Sequence, residues 1–135
     1  MDVKDIEARD KDVNSFIVLD KEGVAEKTTA KNGVLKNLYI AIKSNICVEG
    51  LLTTCASKTL ENHIATYDAS VVESIKKQGG RVVGLTNMDE FACGASGETS
   101  YYGPTQNPNA RGFIPGGSSS GSAAAVAAGF VDIAL

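Results

Sequence analysis

Apolar residues along this chain gather in short runs separated by polar stretches, with one segment of helical period between them. Ser15, Phe16, Ile17, Val18 and Leu19 form one run, and Leu38, Tyr39, Ile40, Ala41 and Ile42 a second. Each predicts a strand, the second a buried one, being too short for a helix and bounded by polar residues. Over 67–78 the period changes: Val71, Val72 and Ile75 share a helical face, Lys76 and Lys77 lie near the end, and Gly79 and Gly80 stop the helix. Asp68 is placed to cap its first turn. A further buried strand, 81–85, follows directly, so 38–85 reads as a strand–helix–strand crossover, right-handed if the two strands are parallel. A short exposed helix is expected over 21–31, ended by Asn32 and Gly33. After a helix stop at Gly129, the run 130–135 reads as the start of another buried strand. Because a buried strand needs neighbours on both sides, the chain is expected to be the N-terminal portion of a longer, incomplete domain, or one half of a split protein. The fold class is α/β.

The stretch from Pro115 to Gly129 places a tight, hydroxyl-rich loop at the mouth of an alanine helix. Gly116 and Gly117 admit backbone conformations closed to residues with a Cβ, and Ser118 to Ser122 offer capping oxygens to the first turn. Ala123, Ala124, Ala125, Ala127 and Ala128 carry little bulk, so the helix can pack closely and hold the loop on a stiff base. Catalytic serines are often mounted this way, although a Gly/Ser linker or a purely structural cap would use the same residues. A nucleotide site is disfavoured by the lack of both G-x-x-x-x-G-K-[ST] and G-x-G-x-x-G. The long Gly, Ser, Thr, Asn and Pro stretch over 94–117 reads as a functional loop. No internal repeat is apparent.

Composition narrows the class. The 135 residues suit one domain, and 43% hydrophobic residues with 6% aromatic describe a soluble protein with an aliphatic core. No apolar run is long enough to span a membrane and the polar start lacks a signal peptide's regions, so a cytoplasmic location without membrane contact is expected. A net charge of -3 argues against an extensive nucleic-acid surface on this segment. Cys47, Cys55 and Cys93 form no C-x-x-C pair, which predicts reduced, packed thiols and no metal. His63, the sole histidine, sits in a polar run and reads as a surface residue rather than a partner for a cysteine nucleophile. Lys43 directly follows the second strand, at the end that faces the ligand crevice in α/β sheets. In a poorly hydrated site it would act as a base near neutrality; the alternative is an ordinary exposed lysine.

Four segments in sequence order carry a family resemblance: Ala41-Ile42-Lys43-Ser44-Asn45, Thr53-Thr54-Cys55-Ala56-Ser57, Thr86-Asn87-Met88-Asp89-Glu90-Phe91-Ala92, and Gly116-Gly117-Ser118-Ser119-Ser120-Gly121-Ser122. Together they resemble the amidase signature family over 14–135. Within it, the segments at 53–57, 67–73 and 87–94 are most similar to the A subunits of Glu-tRNA(Gln)/Asp-tRNA(Asn) amidotransferases. The resemblance implies the N-terminal part of the amidase signature fold, a mixed β-sheet flanked by helices. It also implies a Ser–cis-Ser–Lys triad, with Lys43 as base and Ser118 as bridging serine after a cis Gly117–Ser118 bond. The nucleophilic serine is expected some two dozen residues beyond Ser118, in a D-T-G-G-S-type motif outside these residues, so the fragment alone is expected to be inactive.

By the same resemblance Ala92, Cys93 and Gly94 match the substrate-side loop, with a buried structural thiol as the alternative for Cys93. Ser44, Ser120 and Cys93 stand where the family often carries Asp, Gly and Met. The implied activity is release of ammonia from glutamine to amidate a mischarged tRNA. That tRNA would be held mainly by B and C partner subunits, which would also use ATP with Mg; no cofactor is expected on this chain. Other readings are a stand-alone amidase acting on small amides and an inactive assembly fragment.

Overall fold

The computed structural model describes residues 3–25 and 32–135. Helix α1 (Val3–Asp10) leads into strands β1 (Phe16–Leu19) and β2 (Tyr39–Lys43). Helix α2 (Ser70–Lys77), strand β3 (Arg81–Thr86), helix α3 (Ser120–Ala127) and strand β4 (Ile133–Ala134) follow. The strands make one mixed sheet in the order β1-β3-β2-β4. β2 runs parallel to both β3 and β4, while β1 is antiparallel to β3. The crossover expected over 38–85 therefore joins neighbouring parallel strands.

Alternation along the central strands feeds two separate cores, as a sheet covered on both faces requires. Ile40 and Ile42 of β2 join Val82 and Leu85 of β3 under Val72 and Ile75 of α2. Ala41 and Val83 point the other way, into a core with Val3 and Ile6 of α1 and Ala124 and Ala125 of α3. Ile40, Ile42 and Leu85 are completely buried, each contributing about 1.5–3 kcal/mol relative to an exposed side chain. On the second face alanine meets alanine, so α3 lies close to the sheet and its N-terminus arrives at the carboxyl ends of β2 and β3.

Several expectations change in the folded chain. α1 is an amphipathic helix that the polar start concealed: only Val3, Ile6 and Asp10 are buried along its eight residues. Asp10 is buried because its carboxylate accepts hydrogen bonds from Ser15 N, Ser15 Oγ and Phe16 N at 2.8, 2.5 and 3.0 Å, which fixes the entry to β1. The expected helix over 21–31 does not begin at Lys21. The Asp20 carboxylate accepts from the Val24 and Ala25 amides, both at 2.8 Å, and turns the backbone there; positions 26–31 lie outside the described residues.

Asp68 does not cap α2. The cap position belongs to Ala69, with no side-chain cap bond, and Asp68 accepts instead from Glu49 N at 2.8 Å and from Lys76 Nζ at 2.7 Å. This ion pair is nearly enclosed, with side-chain exposures of 7% for Lys76 and 13% for Asp68. The strand expected over 130–135 is reduced to the two residues of β4, which pair with β2 on one side and leave Ile133 partly exposed. Among the described residues β4 lies at the sheet edge and pairs with β2 alone. Among the described residues no helix is long and apolar enough to cross a membrane.

Candidate active site

Lys43 ends β2 and stands in register with Thr86 at the end of the parallel strand β3. Parallel pairing brings the chain segments that leave both strands to one edge of the sheet, where the 116–119 loop also arrives ahead of α3. There Lys43 Nζ donates hydrogen bonds to Ser118 Oγ and Ser119 Oγ, each at 2.7 Å. Seventy-five positions of sequence separate Lys43 from Ser118. The Gly117–Ser118 peptide is cis. All three polar side chains are half-buried, and burial lowers the proton affinity of Lys43 below its ordinary 10.5, against the opposing pull of the Asp89 charge. A lysine so placed can accept a proton through the Ser118 hydroxyl.

Close packing rather than capping fixes the loop. A Cβ at Gly121 would stand 2.3 Å from Ser15 O, 2.5 Å from Asn87 N and 2.6 Å from Asn87 O, so only glycine lets α3 touch the backbone leaving β3. Gly121 N donates to Asn87 O at 3.0 Å, and Asn87 N to Ser15 O at 2.8 Å. The serines expected to cap α3 are used elsewhere, and Ser119 at the cap position makes no side-chain cap bond. Ser119 takes its bond from Lys43, Ser120 Oγ lies 3.2 Å from Thr105 Oγ1, and Ser122 Oγ donates to Leu135 O at 2.8 Å. Tertiary acceptors and donors outcompete the local helix amides because the whole loop is pressed onto the sheet edge.

The 87–100 segment walls one side of this edge. A 3-10 turn at Glu90–Ala92 holds Phe91 and Ala92 at φ of 50° and 60°, and the facing Cys55 and Ala56 have φ of 52° and 57°. Such left-handed values cost non-glycine residues roughly 1–2 kcal/mol each. The two strained pairs are tied together by the hydrogen bond from Phe91 N to Cys55 O at 2.9 Å, and strain of this kind concentrates at functional sites. Ala92 is half-buried, whereas Cys93 is exposed, its thiol donating to Phe91 O at 3.5 Å. Cys93 is therefore not a buried structural thiol, since the turn rotates it outward. Gly94 packs against Asp89, where a Cβ would stand 2.4 Å from the carboxylate carbon.

His63 is exposed, with its carbonyl accepting from Thr53 N at 2.8 Å. Cys47 and Cys55 are half-buried free thiols. Among the described residues no group of three His, Cys, Asp or Glu could hold a metal ion. Two participants were not marked by sequence reasoning. Ser119 is a second acceptor for Lys43, hidden because adjacent serines are indistinguishable by pattern. Asp89 lies inside a recognised motif, but only the fold reveals that its carboxylate is fully buried.

The Amidase family model matches residues 3–135. The A subunit of glutamyl-tRNA(Gln) amidotransferase from Methanocaldococcus jannaschii is 56% identical over 137 aligned residues, covering 96% of this chain and 32% of the relative. The crystal structure of the glutamyl-tRNA(Gln) amidotransferase A subunit from Thermotoga maritima matches with a TM-score of 0.86 and 43% identity, over 98% of this chain and 28% of that one. 6-Aminohexanoate cyclic dimer hydrolase shares the architecture at a TM-score of 0.88 and 27% identity, again over 98% of this chain and 28% of its own. The chain thus spans about a third of the length of the curated relatives it matches. With the family model covering the sheet, the Lys43 edge and the serine loop alike, this chain belongs to the amidase family.

Proposed function

We propose that this chain is the N-terminal portion of the amidase domain in the glutaminase-type A subunit of a tRNA-dependent amidotransferase, and that it supplies the proton relay of that site. The observation that carries the reading is the 2.7 Å hydrogen bond between Lys43 Nζ and Ser118 Oγ, made by a lysine whose burial favours the neutral form. In the proposed reaction a serine outside these 135 residues attacks the side-chain amide carbon of glutamine. Its proton passes to Ser118 Oγ as the Ser118 proton passes to neutral Lys43. The return of that proton to the leaving nitrogen releases ammonia and leaves an acyl-enzyme, which water then hydrolyses to glutamate. Ala92, Cys93 and Gly94 line the substrate side of this centre. B and C subunits bind the mischarged Glu-tRNA(Gln) or Asp-tRNA(Asn) and use ATP with Mg, in the cytoplasm, so this chain itself carries no cofactor.

A second reading, a stand-alone amidase acting on small amides, is supported by the architecture shared with 6-aminohexanoate cyclic dimer hydrolase. Ammonia release from glutamine by the intact polypeptide, with and without tRNA-binding partners, separates the two. Lys43→Ala and Ser118→Ala are each expected to lower kcat roughly a hundredfold to ten-thousandfold, the usual worth of a positioned general base. In the unsubstituted enzyme the rate should climb with pH through the Lys43 midpoint, because the neutral amine is the working form and its midpoint lies below 10.5. Retained turnover in Lys43→Ala would refute the assignment. No turnover on glutamine or small amides by the intact polypeptide would leave the assembly role.

A further inference from the structure

Asp89 is a fully buried carboxylate with no part in the proton relay as described. It is nevertheless heavily hydrogen-bonded beside the serine loop. Gly97 N donates to both of its oxygens at 3.0 Å, Thr99 Oγ1 donates to Oδ1 at 2.9 Å, and Thr99 N to Oδ1 at 3.3 Å. These bonds and the Lys43 charge outweigh the effect of burial and depress its pKa, so the group is an anion at neutral pH. Two glycines make room for it. A Cβ on Gly94 would stand 2.4 Å from Cγ, and one on Gly117 would stand 2.3 Å from Oδ2. The Asp89 amide also donates to Ser118 O at 3.0 Å. One residue thus holds the 97–99 stretch of loop through its carboxylate, touches Gly117 with the same carboxylate, and grips Ser118 through its main chain.

We propose that Asp89 is the positioning residue of the site, its carboxylate seating the Gly117–Ser118 backbone beneath Lys43 while its negative charge faces the Lys43 ammonium. A neutral filler of the same volume would satisfy the packing but not the charge. Among the described residues, Asp89 is the titratable group whose charge acts on Lys43, and Lys43 the one whose charge acts on Asp89. Asp89 restrains the loss of proton affinity that burial imposes on the lysine, and so favours the protonated form that Lys43 must reach in the relay. The catalytic consequence rests on the reading of Lys43 and Ser118 given above, whereas the charge coupling does not depend on it.

The test uses the intact polypeptide and reads Lys43 directly. Labelling of lysine amines with acetic anhydride across a pH series, mapped by peptide mass, gives a midpoint that reports proton affinity and a high-pH plateau that reports access. Asp89→Asn is expected to move the Lys43 midpoint down, because a facing anion has been removed. Thr99→Val, which loses a hydrogen bond to the carboxylate but keeps its charge, should leave the midpoint in place. In the amide-hydrolysis assay Asp89→Asn should lower kcat at least about tenfold with KM within about twofold, since what is lost is a charge acting on the Lys43 amine and not a contact to the substrate. Unsubstituted protein carrying 13C-carboxyl aspartate supplies a measurement free of any folding defect in the variant. Its Asp89 resonance should shift as Lys43 titrates, and that shift should vanish in Lys43→Gln. A Lys43 midpoint unmoved by Asp89→Asn, or an Asp89 resonance blind to Lys43, overturns the proposal even if Lys43→Ala abolishes hydrolysis. Hydrolysis surviving in Lys43→Ala sinks the catalytic reading instead, whatever the labelling shows.

Discussion

Gly121→Ala adds a single methyl group where α3 meets the backbone leaving β3, and its effect can be worked out from the contacts. The new Cβ would face Ser15 O, Asn87 N and Asn87 O at 2.3, 2.5 and 2.6 Å, all main-chain atoms that cannot swing aside. To reach ordinary contact the helix N-terminus must retreat by on the order of 1 Å, an overpacking cost of about 1–3 kcal/mol. That retreat also stretches the Gly121 N to Asn87 O bond of 3.0 Å, worth about 1 kcal/mol. Against this, alanine is the better helix former by about 0.8–1.0 kcal/mol. The net expectation is destabilisation of about 1–3 kcal/mol, which with a urea slope of about 1–3 kcal/mol/M lowers the midpoint by roughly 1 M.

Gly129→Ala is the control. Nothing lies within 4 Å of a Cβ there, but φ is +69°, so its penalty is conformational alone. Asparagine tolerates that backbone and should recover part of the loss at 129, but none at 121. Urea unfolding followed by far-UV circular dichroism reads each midpoint in the intact polypeptide. Because Ser118 and Ser119 lead directly into the same helix, Gly121→Ala should also cut amide hydrolysis. An unchanged or raised midpoint would mean that the α3–β3 approach is loose, and the explanation of how the serine loop is held would fail with it.

Two further outcomes can be checked with little effort. Asp68→Ala strands the Lys76 ammonium in a nearly enclosed position, and should cost about 3–5 kcal/mol by urea unfolding, whereas replacing both partners by apolar residues of similar size should cost far less; equal losses would contradict the ion-pair account. Iodoacetamide near pH 8 should modify exposed Cys93 well before Cys55, whose thiol pKa is raised by burial and then by Cys47. Peptide mass mapping that found Cys55 reacting as fast as Cys93 would contradict the burial of that thiol.

The elements read correctly from the sequence are those whose local pattern and tertiary role agree. β2 and β3 are apolar runs because both faces of the central strands are covered, and α2 shows its buried face as Val72 and Ile75, although Val71, expected on that face, turns out exposed. Elements that escaped notice are those for which the fold supplies what the local pattern lacks. α1 has only Val3 and Ile6 to bury, and docks through side chains as well as apolar contact: Arg9 donates to Ala128 O at 3.2 Å and stacks 5.0 Å from the Phe130 ring. Asp68 carries a cap residue's identity, yet its carboxylate answers to Lys76, two helical turns away. A buried ammonium demands a charge more strongly than a free amide demands an acceptor.

By itself the sequence determined the α/β class, the strand–helix–strand order of the crossover from β2 to β3, and the family, because periodicity and motif order are properties of the linear chain. It also singled out Lys43 and Ser118, through resemblance. Only the tertiary structure decided that Lys43 has two acceptors at equal distance, that the serine hydroxyls leave the helix cap for partners across the loop, and that Asp89 lies sealed between Gly94 and Gly117. Those outcomes depend on which side chains meet after strands and loops distant in sequence are pressed together, and on the few ångströms that separate a hydrogen bond from a mere neighbour.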